Sequence, residues 1–69
     1  MFYIKEQNVK GRIEYTRRMR IFEDEKELQA IEYWPDSPKS AESAERIAVQ
    51  VMLRAGATEE QIDAAFLTQ

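Results

Sequence analysis

The chain has 69 residues, of which 43% are hydrophobic, and 10 Lys and Arg against 13 Asp and Glu give it a formal net charge of −3. This length predicts one small domain, residues 1–69, with a thin core. The sequence contains no Cys and no His, which excludes a disulfide framework, a Cys-based zinc site and the usual general base at neutral pH. We therefore expect a non-enzymatic protein with no cofactor, no metal and no small-molecule substrate.

The hydropathy pattern argues against a membrane protein. No apolar run approaches the ~20 residues that cross a bilayer, and residues 1–10 lack the basic-then-apolar pattern of a signal peptide. We therefore expect a cytoplasmic location without membrane contact.

Charge is unevenly distributed along the chain. Residues 10–20 hold five basic residues against one acidic residue, a local charge of +4, and residues 23–45 hold eight acidic residues against two lysines, a local charge of −6. The simpler interpretation is two solvated surfaces. The alternative is a face that meets an anion or an acidic partner.

The N-terminal part, residues 1–34, is predicted to form a three-stranded meander with strands at about 2–8, 12–22 and 28–34. In the first strand, Phe2 and Ile4 share one face. Asn8 and Gly11 suit a tight turn in which Gly11 takes a positive φ, since glycine accepts that conformation cheaply. A hairpin turn at residues 8–11 is therefore expected.

The second strand alternates between apolar and polar residues. Arg17 interrupts its apolar face and Phe22 lies on its polar face. With the other strands this gives one apolar face, predicted as core: Phe2, Ile4, Ile13, Tyr15, Met19, Ile21, Ile31 and Tyr33. The opposite face carries Tyr3, Lys5, Arg12, Arg18, Arg20, Phe22 and Trp34.

Residues 24–34 fit either a helix or a strand. A helix from Asp24 would align Leu28, Ile31 and Trp34 on one stripe. We favour the strand, because it covers an edge that the second strand would otherwise leave open. A loop over residues 23–27 then places Ile31 opposite Met19, with residue 32 opposite residue 18 as a favourable charge pair.

The C-terminal part, residues 38–69, is predicted to form a helical hairpin after a linker at 35–37. Ser37 before Pro38 is a good helix start, and the first helix should run over 38–55 and end at Gly56. Residues 58–61 form a capping box for a second helix over 58–67. The predicted fold class is therefore α+β, with a three-stranded antiparallel meander followed by two helices packed on one sheet face.

Residues 51–62 resemble the turn of a helix-turn-helix, with Gly56 at the turn, Thr58 as the cap and Ile62 after it. The second helix would present Glu59 and two further acidic residues but no Lys or Arg. Acidic groups near phosphates oppose the electrostatic term of DNA affinity. We therefore do not expect this helix to read DNA.

The leading hypothesis is a protein-binding module, such as an adaptor, a regulator or an inhibitor, that self-associates as a homodimer or larger homo-oligomer. The chain has more apolar surface than so small a domain needs, and exposed apolar patches mark interfaces. The candidate interface residues are Trp34, Val49, Met52, Leu53, Phe66 and Leu67.

The alternative hypothesis is nucleic-acid binding by the outer face of the sheet. Basic residues at alternate strand positions project the same way and could contact phosphates, while Tyr3, Phe22 or Trp34 stacks on bases. The candidate residues are Lys5, Arg12, Arg18 and Arg20. This hypothesis ranks second because the chain is acidic overall.

Overall fold

A computed structural model describes residues 1–11 and 15–67 and shows an α+β fold. The strands β1, β2 and β3 form one antiparallel sheet in the order β1-β2-β3, and the helices α1 and α2 follow them in the chain. The predicted fold class is confirmed. The bounds of the elements are β1 Phe2–Lys10, β2 Tyr15–Glu23, β3 Lys26–Tyr33, α1 Pro38–Arg54 and α2 Glu59–Leu67.

The segment that fitted either a helix or a strand, residues 24–34, contains the strand β3, and the predicted register is confirmed. Met19 lies opposite Ile31, and Arg18 lies opposite Glu32. The connection before it is shorter than predicted, because β2 continues to Glu23 and only two residues separate it from β3. Asp24 makes this tight turn possible with a φ of 53°, a conformation that Asp tolerates better than most residues with a side chain.

The hairpin turn predicted at residues 8–11 is wrong. β1 continues to Lys10, with Asn8 opposite Arg17 and Lys10 opposite Tyr15. The longer hairpin places Ile4 opposite Ile21, and a buried apolar face fixes strand register more strongly than a local turn preference does. The predictions for Arg12 and Ile13 lie outside the described residues.

The helices cover one face of the sheet. α1 packs on β3 and β2, and α2 packs on β1. Tyr15, predicted as core, is instead 62% exposed, because β3 ends opposite Arg17 and leaves Tyr15 beyond the third strand. Ile31 is half-buried. The buried residues of the hydrophobic core are Phe2, Ile4, Met19, Ile21, Tyr33, Ala44, Ala48, Met52, Ala57, Ile62 and Ala65.

The predicted helix caps are confirmed. Ser37 Oγ accepts the N–H of Ser40 at 3.3 Å, with Pro38 at the first position of α1. Gly56 follows α1 with a φ of 92°. The side chains and N–H groups of Thr58 and Gln61 bond reciprocally at 2.9 and 3.2 Å, as a capping box requires. These caps fix where α1 begins and ends and where α2 begins.

Candidate protein-interaction surfaces

The structure places the six sequence-predicted interface residues in three different environments. Met52 has no exposed surface and belongs to the core, so it offers nothing for a partner to contact. Val49 and Phe66 are half-buried and pack against that core. Only the remaining three are exposed: Trp34, Leu53 and Leu67.

These exposed residues do not form one patch. The backbone N–H of Trp34 donates to Ser40 Oγ in the first turn of α1. Leu53 lies in the last turn of α1, roughly 20 Å away along the helix axis at 1.5 Å per residue. Trp34 and Leu53 therefore belong to separate surfaces.

A groove runs along the outer side of β3, where α1 lies beside the edge of the sheet. Ile47 is 42% exposed there, although it is not among the interface residues predicted from the sequence. The residues that line the groove are Gln29, Arg46, Ile47, Gln50, Val51 and Arg54.

β3 is an edge strand whose middle is poorly protected against further pairing. Residues 28–31 are uncharged, whereas natural edge strands are usually blunted by charged side chains, proline or bulges. A bulge is present only at Leu28, where the register shifts between Ile21 and Phe22. At the other edge, β1, the groove against α2 is lined by Met1, Phe2, Gln61 and Ala64, and the exposed Leu67 of α2 is not among the residues that line it.

Two clefts meet at Trp34, at the end of the sheet where β3 stops. One is lined by Thr16, Glu32, Tyr33 and Trp34. The other is lined by Tyr15 and by residues 34–37. Aromatic rings and carboxylates therefore share this corner of the molecule.

On the open face of the sheet, aromatic rings lie beneath cations. Tyr3 and Phe22 stack with centroids 4.9 Å apart and planes 5° from parallel. Lys5 Nζ lies 5.3 Å from the Phe22 centroid, and Arg20 Cζ lies 5.1 Å from it. Phe22 is consequently only 7% exposed, so a base could stack on it only by displacing these cations.

The arginines of the open face are engaged by acidic residues of β3. Arg18 Nη2 lies 2.6 Å from Glu32 Oε1, and Arg20 forms an ion pair with Glu27. Arg12, the fourth residue of the nucleic-acid hypothesis, lies outside the described residues. The pairing lowers the local positive charge that phosphate binding needs.

Beneath the sheet, Tyr33 donates a hydrogen bond to Glu6. Burial, together with this carboxylate acceptor, raises the pKa of Tyr33 to about 12, which nearby Arg17 opposes. Arg17 Nε is buried, and no residue described in the structure accepts a hydrogen bond from it. The Tyr33 phenol therefore stays protonated at neutral pH. Tyr33, Glu6 and Arg17 together cover this part of the core with polar groups.

Comparisons with protein-family models, with curated proteins and with solved structures give no match to this chain. Across residues 1–11 and 15–67, no three Asp or Glu residues are grouped closely enough to hold a metal ion. Neither described helix has the length and hydropathy needed to cross a bilayer.

Proposed function

We propose that the chain is a non-enzymatic protein-binding module that self-associates through the edge of β3. The observation that carries this proposal is the exposed Ile47 beside the uncharged middle of an edge strand. An edge strand offers backbone N–H and C=O groups to a further strand. The adjacent apolar flank of α1 gives the side chains of that further strand a surface to pack on. Strand addition with this combination is a recurring mode of protein recognition.

A second copy of the chain is the proposed occupant of this edge. Two β3 strands that pair antiparallel around a two-fold axis make one continuous sheet and use the same residues on both sides. The groove residues Ile47 and Val51 of each copy then lie beside the added strand of the other. Such pairing removes two open edges at once.

Self-association also addresses the small size of the domain. A chain of this length buries only about 60% of the surface that its unfolded state exposes. Without disulfides or metals, a small domain gains stability by burying further apolar surface against a partner. The partly exposed Ile47 provides such a surface.

Two matched substitutions on α1 test the proposal. Ile47 and Leu53 are 42% and 46% exposed, but only Ile47 lines the β3 groove. In sedimentation equilibrium we expect Ile47→Glu to shift the chain to the monomer, because a carboxylate beside the added strand cannot be desolvated cheaply. Leu53→Glu should leave the mass distribution unchanged.

Three outcomes would overturn this assignment. A wild-type chain that is monomeric over the whole concentration range would remove self-association. Dissociation by Leu53→Glu and not by Ile47→Glu would move the interface to the Leu53 side of α1. Equal effects of both substitutions, with circular dichroism unchanged, would show that the β3 groove has no special role.

Nucleic-acid binding by the open face is the second candidate, and one observation supports it. Lys5 is exposed, lies opposite Arg20 across the strands and forms no ion pair with any described residue. A gel-shift titration at low ionic strength tests this candidate, since binding should weaken steeply with salt and with Lys5→Glu. Absence of binding at the lowest salt would exclude it.

A further inference from the structure

Trp34 is the only tryptophan of the chain, and the residue is 51% exposed in the connection between β3 and α1. The backbone N–H of Trp34 donates to Ser40 Oγ at 2.9 Å, and its backbone carbonyl accepts the N–H of Ser37 at 3.1 Å. Pro35 further fixes the backbone. An aromatic side chain on a fixed backbone has only two side-chain rotations to lose on binding, which is why tryptophan and tyrosine serve as anchors for partners.

The shape of this corner suits an extended peptide. Tyr15 and Thr16 pair with β1, but β3 ends opposite Arg17, so no described strand lies beside them on the β3 side. Trp34 lines two clefts at this end of the sheet, one of which includes Thr16 and the other Tyr15. A peptide in extended conformation can therefore lie along β2 and contact Trp34.

The charge of the corner favours a cation. Among the described residues, the lining of the two clefts includes the carboxylates of Glu32 and Asp36 and no basic side chain. Arg18 already pairs with Glu32, whereas Asp36 forms no ion pair with any part of the chain that the structure describes. A cation that contacts both an aromatic face and a carboxylate gains two favourable interactions.

We propose that the Trp34 turn binds an arginine or lysine side chain of an extended basic peptide, with the cation against the Trp34 ring and the Asp36 carboxylate. The peptide backbone lies along the open side of Tyr15 and Thr16. This site is separate from the β3 groove, so it can function in a monomer or in a dimer.

Trp34 fluorescence reports on the site directly, because the chain has no other tryptophan. The ligand is a pentapeptide with blocked termini that contains two arginines and otherwise glycine. Two control peptides carry glutamine or glutamate in place of the arginines. We expect a saturable change in emission with the arginine peptide and a weaker one with the glutamine peptide. Using both the wild-type chain and Ile47→Glu separates this result from the fate of the self-association proposal.

Asp36→Asn provides the charge test, with Asp63→Asn on the exposed side of α2 as the matched control. Asp36→Asn should weaken binding of the arginine peptide about two- to fivefold, the range expected for one exposed charge contact. Asp63→Asn should leave the affinity unchanged. Trp34→Leu should abolish binding of the arginine peptide, measured by calorimetry. Circular dichroism checks that this variant is folded.

Several results would overturn the proposal. One is unchanged Trp34 emission at every peptide concentration. Another is equal binding of the glutamine peptide, which would remove the role of charge. A third is equal or tighter binding of the glutamate peptide, which the positive end of the α1 dipole would favour. Equal effects of Asp36→Asn and Asp63→Asn would remove Asp36 from the site.

Discussion

The two faces of the sheet are built from alternate residues of the same strands but are stabilised in different ways. On the covered face, Ile21 has no exposed surface and packs against helices. On the open face, the next residue, Phe22, is 7% exposed because Tyr3, Lys5 and Arg20 surround it. The open face thus forms a self-contained layer of rings and cations.

This difference teaches that an open sheet face need not be a binding face. Its aromatic rings and arginines are already engaged with one another and with β3. The surfaces that we propose for protein partners are instead the edge of β3 and the corner at Trp34. The two faces should also respond differently to substitution and to salt.

The largest effect is expected on the covered face. Met52→Ala should lower the free energy of unfolding by about 2–5 kcal/mol, because it leaves a cavity among fully buried side chains. Urea denaturation measures this loss. Leu53→Ala, the exposed neighbour on the same helix, is the control, and a similar loss for both would contradict the packing described.

A smaller effect is expected for the ring on the open face. Phe22→Ala should cost about 1–3 kcal/mol, because Tyr3 and the cations lose a stacked partner while no helix packs there. Phe22→Leu should recover part of the apolar contact and none of the ring interaction. If Phe22→Ala proved as costly as Met52→Ala, the two faces would not differ as proposed.

The buried phenol should make stability depend on high pH. The pKa of Tyr33 is raised from 10.0 to about 12, so the folded state holds its proton more tightly than the unfolded state does. Its contribution to stability is complete below pH 10 and is lost as the pH rises towards 12. Tyr33→Phe should cost about 1 kcal/mol at neutral pH and remove this dependence. Retention of the same alkaline loss in that variant would contradict the assignment.

The smallest effect is expected for the ion pair between Arg18 and Glu32. A double-mutant cycle with Arg18→Gln and Glu32→Gln should give a coupling below about 1 kcal/mol, since both groups are partly exposed. The coupling should fall further as salt is added. A coupling that is large and independent of salt would show that the open face is not solvated.

The sheet could be predicted from the sequence wherever burial decides the structure. The pairing of Met19 with Ile31 follows from the alternation of apolar residues, and the start of α1 follows from Ser37 before Pro38. The turn predicted at Asn8 to Gly11 is wrong, because the long-range match of Ile4 with Ile21 outweighs a local turn preference.

The candidate interaction surfaces were harder to predict from the sequence than the fold. Met52 and Leu53 are adjacent and both apolar, but only the helix rotation set by the sheet decides that one is buried and the other exposed. Ile47 was missed for the same reason. Trp34 was identified, but its separation from Leu53 depends on the direction in which α1 leaves the sheet.

Amide hydrogen exchange in β3, measured as a function of protein concentration, tests the central proposal most directly. The alternate amides of residues 28–31 that point away from β2 should gain protection as the concentration rises, and Ile47→Glu should abolish that gain. Protection that is independent of concentration, or that increases elsewhere while these amides stay unprotected, would contradict pairing through the edge of β3.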